Sequence, residues 1–262
     1  MSDTLAAGPV LTAYGVNRIG VADLRAALAA GWDDFLAKPT HHLVLFLLYP
    51  IVGAVLSFAA FDYNLMPLVF PLIAGFAILA PVTAVGLYEL SRRREAGLTI
   101  DFFDMFAVFR SPSLPGILLV AVMLTLLFVV WVTTAQQIVY LTIGRETPAG
   151  IGAFIEQVTT TEGGWVMLLL GNAIGGVFAI VGAAIAVFSL PLLVDGERSG
   201  FAAIWTSLRA VGRNPLVFVA WGIVVAVTLA VSMVPLFVGL LVTLPWLGHA
   251  TWHLYRRTIT RG

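Results

Sequence analysis

The sequence predicts an all-α integral membrane protein: six transmembrane helices as three hairpins, each preceded by a short amphipathic helix on the cytoplasmic side. Three observations carry that prediction. The first is composition: 60% of the 262 residues are hydrophobic and only 11% are charged, with a mean hydropathy of +1.00. A soluble domain carries about 25% charged residues, so this chain has too few to cover a water-facing surface. The second is a series of apolar runs of the length, about 20 residues, that crosses a hydrocarbon core. The third is the placement of charge. Of the 14 lysines and arginines, all but Arg145 fall on one side of the six-span reading, the asymmetry that marks a cytoplasmic face.

The spans fall at roughly 42–61, 67–89, 115–137, 165–193, 216–234 and 236–255. Residues 1–20 lack the basic start and apolar core of a signal peptide and read as a flexible cytoplasmic tail. The rest, 21–262, reads as one membrane domain. FDYNLMP separates the first two spans, and Ser232 to Pro235 turns between the last two. The middle pair is split by a longer connection, residues 140–164. With both ends on the basic side, the expected location is the inner membrane, multi-pass, with cytoplasmic termini.

A threefold pattern runs through the chain, with units 22–95, 99–198 and 199–258. The segments ALAAGWDDFLAKP, IDFFDMFAVFRSP and AIWTSLRAVGRNP each lead into an odd-numbered span. Leu28, Trp32 and Phe35 align with Ile204, Leu208 and Val211 at spacings of four and three, one apolar helical face. Phe102, Phe103, Phe106 and Phe109 give the middle copy a similar face. Ser199 and Thr99 read as N-caps, with Asp101 in or near the first turn. Such helices belong in the interface plane. The even spans also repeat: PVTAVGLYELSRRR and PWLGHATWHLYRRT place Tyr88, Arg92 and Arg93 opposite Trp252, Arg256 and Arg257. An aromatic ring followed four residues on by arginine reads as an interfacial anchor, and Trp32 joins that group. Span four carries Gly171, Gly175, Ala179 and Ala183 at spacing four, a stripe for close helix packing within the bundle or against a second copy.

GWDDF, LYP, VGLYELSRRRE, SLPLLVDGE, NPLVFVAWG and LPWLGHATWHLYR resemble an uncharacterised family of bacterial integral membrane proteins that carries a domain of unknown function. The resemblance covers about residues 18–258. Some members bear a cytochrome c oxidase subunit label. What the resemblance implies is an inner-membrane location and a respiratory link; it brings no catalytic residues.

The residues weigh against an oxidase core. Four histidines exist, His41, His42, His249 and His253, and all fall near the basic side rather than at mid-membrane depth. Closing the three units into a ring would bring them together, and His249 and His253 share a helix face, so a haem or metal site remains one reading. The other is polar tips at the membrane boundary. Glu89 lies three and four residues before Arg92 and Arg93, which suits an ion pair; a proton-handling role is the alternative. Asp33 and Asp34 are adjacent and read as a solvated face rather than a carboxylate dyad. Asn172 is expected to bond a neighbouring helix.

With no cysteine, disulfides and thiolate chemistry are excluded. No phosphate-binding loop, zinc-protease motif or nucleophile elbow is present, and no ionisable residue falls at mid-span, where coupled transporters usually have one. The expectation is a non-enzymatic protein without a cofactor. Its partners would be the bilayer and other membrane subunits, not nucleic acid, and its role that of an accessory or assembly partner. A carrier or channel for a lipid-like or small apolar solute is the alternative, suggested by Pro81, Pro191 and Pro245 inside the exiting spans.

Overall fold

A computed structural model describes residues 14–37, 71–72, 78–144, 150–235 and 238–261. Within them the chain is helical: α1 (Val21–Ala37), α2 (Val85–Glu95), a 3-10 helix (Phe102–Arg110), α3 (Leu114–Thr142), α4 (Ile151–Thr160), α5 (Glu162–Ala186), α6 (Ser189–Val194), α7 (Gly200–Arg213), α8 (Pro215–Met233) and α9 (Leu240–Thr258). Two short strands, β1 (Gly15–Val16) and β2 (Ile259–Thr260), pair antiparallel with Gly15 opposite Thr260. Span one and its neighbours His41 and His42 lie outside the described residues.

Three stretches among the described residues are long and apolar enough to cross a membrane: Leu114–Thr142, Glu162–Val194 and Pro215–Met233, with mean hydropathies of 2.7, 2.6 and 2.5. They coincide with the third, fourth and fifth expected spans. The expected sixth span corresponds to α9, which is not among them. Its first half is apolar, but its second half carries His249, which is buried, His253, which is half-buried, and the exposed Arg256 and Arg257.

Close contacts fix how the helices run. A Cβ on Gly163, at the start of α5, would collide with the Thr142 carbonyl oxygen at the end of α3. A Cβ on Gly116, at the start of α3, would meet the Arg198 carbonyl beyond α6 at 3.0 Å. Helices α3 and α5 are therefore antiparallel neighbours. Trp131 of α3 is 3% exposed, lies over Gly175 and sits near Phe178, with 5.6 Å between ring centroids. Likewise Ser232, near the end of α8, meets Gly239 at the start of α9. At the other ends, the Asn214 amide before α8 and Arg257 of α9 both bond Asn17, so α8 and α9 also run antiparallel.

Helix α1 docks on α9. Its buried residues, Leu24, Ala27, Gly31, Asp34 and Phe35, recur at helical spacing. Gly31 is required there: a Cβ would collide with the Ala250 backbone nitrogen. Trp246 caps the contact by donating its indole N–H to the Leu28 carbonyl at 2.9 Å.

One local expectation gains detail and two are corrected. The 140–164 connection contains helix α4; its apolar face was hidden by the glycines and threonines around it. The middle amphipathic segment is a 3-10 helix capped by Asp101, not Thr99. Asp101 accepts from the Phe102 N–H at 2.5 Å, and Asp104 returns a bond to the Asp101 N–H at 2.7 Å. Three residues per turn put Met105 and Val108 inward and align Phe103, Phe106 and Phe109 outward, 74%, 40% and 67% exposed. Asn172 donates to the Leu168 carbonyl of its own helix rather than to a neighbour. The cap on α7 is Ser199, as expected, accepting from the Ala202 N–H at 3.2 Å.

A candidate functional site in a buried ionic layer

The motif residues converge on one layer where α1, α2 and α9 meet. Its centre is Asp34, 9% exposed. Helix α1 turns Asp34 inward because it lies seven and ten residues after Ala27 and Leu24, on the same buried stripe. Asp33, one position away, faces out. The sequence reading of both as a solvated face is therefore wrong for Asp34.

Four side chains converge on the Asp34 carboxylate. Arg94 Nη1 donates to Oδ1 at 2.6 Å. Ser91 donates to Oδ2 at 2.5 Å and His253 Nε2 lies 2.8 Å from the same oxygen. His249 Nδ1 is 2.7 Å from Ser91 Oγ and 3.8 Å from Oδ2. A hydroxyl has one proton. Since Ser91 gives it to Asp34, His249 must present Nδ1–H to Ser91, and the proton order runs His249 to Ser91 to Asp34. A nucleophilic serine points its proton at a histidine base instead, and here Ser91 is 1% exposed. Burial pushes the Asp34 carboxyl up. The hydrogen bonds from His253 and Ser91, with the charge of the two histidines, outweigh it and hold the carboxyl below the ordinary carboxylate value.

Two further knots flank this centre. Glu89, 5% exposed, accepts a side-on pair from Arg92 at 2.8 and 2.7 Å and a third bond from Arg93 at 2.8 Å. Arg93 also reaches Asp104 of the 3-10 helix at 2.6 Å. On the other flank Asp195 accepts from Tyr255 at 2.8 Å, from Arg256 at 3.3 Å and from Arg261 at 3.2 Å. Glu95 takes Trp252 Nε1 at 3.1 Å and Arg256 Nε at 3.0 Å. Arg257 pairs with Asp23 at 3.2 Å.

The sequence-marked residues sort accordingly. His249 and His253 do face one point, and it is a carboxylate and a hydroxyl. Among the described residues no group of three or more His, Asp or Glu is arranged to hold a metal ion. One nitrogen of each imidazole is engaged, by Ser91 for His249 and by Asp34 for His253. Tyr88 and Trp252, read as interfacial anchors, are 2% and 0% exposed. They pack inside the fold, while the arginines that follow them, with side chains 37% and 40% exposed at Arg92 and Arg256, pair with Glu89, Glu95 and Asp195 at its edge. Arg92, Arg93, Arg256 and Arg257 are thus ion-pair partners first. Trp32 is 38% exposed and rests against Phe35 and Trp246, at 5.3 and 5.6 Å between ring centroids. Of the packing stripe, Gly175 receives Trp131, whereas nothing lies within 4 Å of a Cβ on Gly171; Ala179 is exposed and Ala183 half-buried.

The apolar helices, together with a charged layer confined to one end of them, define an integral membrane protein. Residues 69–195 match the model of a family described as predicted integral membrane protein (DUF2189), whose function is unknown. No curated protein and no solved structure matches the chain.

Proposed function

We propose that the chain is a non-enzymatic inner-membrane protein that works by binding other membrane components, as an accessory or assembly partner of a membrane complex. In this reading it has six spans in three hairpins, three pseudo-repeats, an interfacial helix before each hairpin, and both ends in the cytoplasm. The pairing of β1 with β2 supports the shared side of the two ends, because Val16 opposite Ile259 requires an even number of crossings between them. The cation asymmetry supports the choice of side. The exposed faces Phe103, Phe106 and Phe109, and Phe201, Trp205 and Leu208, support interfacial placement.

One observation carries the partner-binding reading. Among the described residues 11% of the apolar window of α8 is buried, against 56% for Glu162–Val194. Val219, Ile223 and Val227 are 51%, 58% and 57% exposed along its length. A span so little held by its own fold presents a full face to a neighbour. The closed proton order at Ser91 and the pairing of the buried charges support a structural rather than a catalytic layer.

The test is photo-crosslinking in native membranes from residues Val219, Ile223 and Val227, one at a time. The reading expects a discrete adduct with a second membrane protein from at least two positions. Lipid adducts alone from all three would refute it.

A further inference from the structure

Between α2, the 3-10 helix and α6 lies a cleft of about 240 Å³, lined by Glu89, Arg92, Arg93, Ala107, Val108, Ser111 and Val194. That is the scale of a small polar group rather than of a drug-sized ligand. Its lining has hydrogen-bond capacity left over. A guanidinium has five N–H donors. Arg92 gives two of them to Glu89, and Arg93 gives one to Glu89 and one to Asp104. Among the described residues the remaining three on each have no partner. Ser111 Oγ accepts from the Ser113 N–H at 3.2 Å, which leaves its proton to donate.

Six remaining N–H groups and a hydroxyl carried by three of the residues that line one cleft suit an acceptor with several oxygens. The charge selects further. Arg92 and Arg93 are balanced by Glu89 and Asp104, so the cleft recognises its ligand by donor geometry and has no net attraction for a multiply charged anion. The rim selects the source. The 3-10 helix that forms one wall presents Phe103, Phe106 and Phe109 outward, and rings in a row belong at acyl-chain depth. From these features we infer that the cleft is a lipid site, which holds the phosphodiester of a zwitterionic phospholipid headgroup between Arg92, Arg93 and Ser111 while the lipid's chains lie along the phenylalanine row. The inference rests on the interfacial placement proposed above for the 3-10 helix.

The experiment is native mass spectrometry of the full chain released from nanodiscs of equimolar phosphatidylethanolamine and phosphatidylglycerol. The expected result is retained phosphatidylethanolamine that inorganic phosphate does not displace. Preferential retention of phosphatidylglycerol, displacement by inorganic phosphate, or no retained lipid would each overturn the inference. Ala107→Leu fills the cleft without touching a charge and is expected to weaken retention about tenfold or more. Ser111→Ala removes one donor, keeps the volume, and is expected to weaken it severalfold; if both variants fold and retain lipid as the parent does, the lipid is elsewhere and the inference falls. The chain has no cysteine, so a spin label at Phe106→Cys reports depth independently. Oxygen-accessible label with no retained lipid removes this site alone; label accessible only to aqueous quencher removes the interfacial placement and the site with it.

Discussion

Replacing Asp34 with asparagine tests whether the ionic layer holds the fold together. The carboxylate accepts from Arg94, Ser91 and His253 at 2.6, 2.5 and 2.8 Å while 9% exposed. The amide of Asp34→Asn would keep the shape but lose the charge, and its NH₂ would face donors. Breaking a buried charge pair by removing one partner costs about 3–5 kcal/mol. Arg94 and His253 are 40% and 22% exposed in their side chains, and water compensates them in part, so the lower end, about 3 kcal/mol, applies. At roughly 2–4 °C per kcal/mol for a chain of this size class, thermal unfolding in detergent at pH 7 should fall by about 6–12 °C. The pH dependence has a definite sign. The Asp34 carboxyl is held below its ordinary value, so its contribution is complete above the unfolded value of about 3.9 and is lost as pH falls through the folded value beneath it. The parent should lose stability on acidification in that range, and Asp34→Asn should lose less. An unfolding temperature within about 2 °C of the parent, with an unchanged acid limb, would refute the role given to this layer.

Three other outcomes follow from the same geometry. Ser91→Ala leaves the His249 Nδ1–H and one lobe of Asp34 without their bridge and should cost about 1.5–3 kcal/mol by thermal melt. Gly31→Ala forces a methyl into the Ala250 backbone, so α1 and α9 must part. The expected cost is about 1–3 kcal/mol, with faster proteolysis of α1 as a second readout. Trp131→Ala empties the space over Gly175 and removes the indole bond to the Pro71 carbonyl at 2.8 Å; it should cost about 3–5 kcal/mol in the same assay.

The spans were readable because bilayer crossing is a property of composition over a window, and Leu114–Thr142, Glu162–Val194 and Pro215–Met233 each satisfy it without reference to their neighbours. The Glu89 ion pair was readable because its partners lie three and four residues away on one helix face. Asp34 was not. Its partners are 57 to 219 residues distant, and the one available signal was its place on the apolar stripe of Leu24, Ala27 and Gly31, which the adjacent Asp33 obscured. Tyr88 and Trp252 were misread for a related reason. Aromatic-then-arginine is the pattern of a surface anchor only when the ring itself reaches the surface, and here Tyr88 and Trp252 are buried by segments distant in the chain while the exposed arginines pair with acids such as Glu95 and Asp195.

The layer also accounts for the polar second half of α9. A helix carrying two histidines and two arginines in its last turns is costly at hydrocarbon depth. That cost falls when each group has a partner inside the protein. His253 has Asp34, Arg256 has Glu95 and Asp195, and Arg257 has Asp23. The partners come from α1, α2 and the turn after α6, so they are present only when those segments have docked. The charged end of α9 is therefore fully paired only in the assembled fold. The apolar α8 needs no such help, and that difference is consistent with the proposal that α8 meets a neighbour while the charged end of α9 pairs within its own chain.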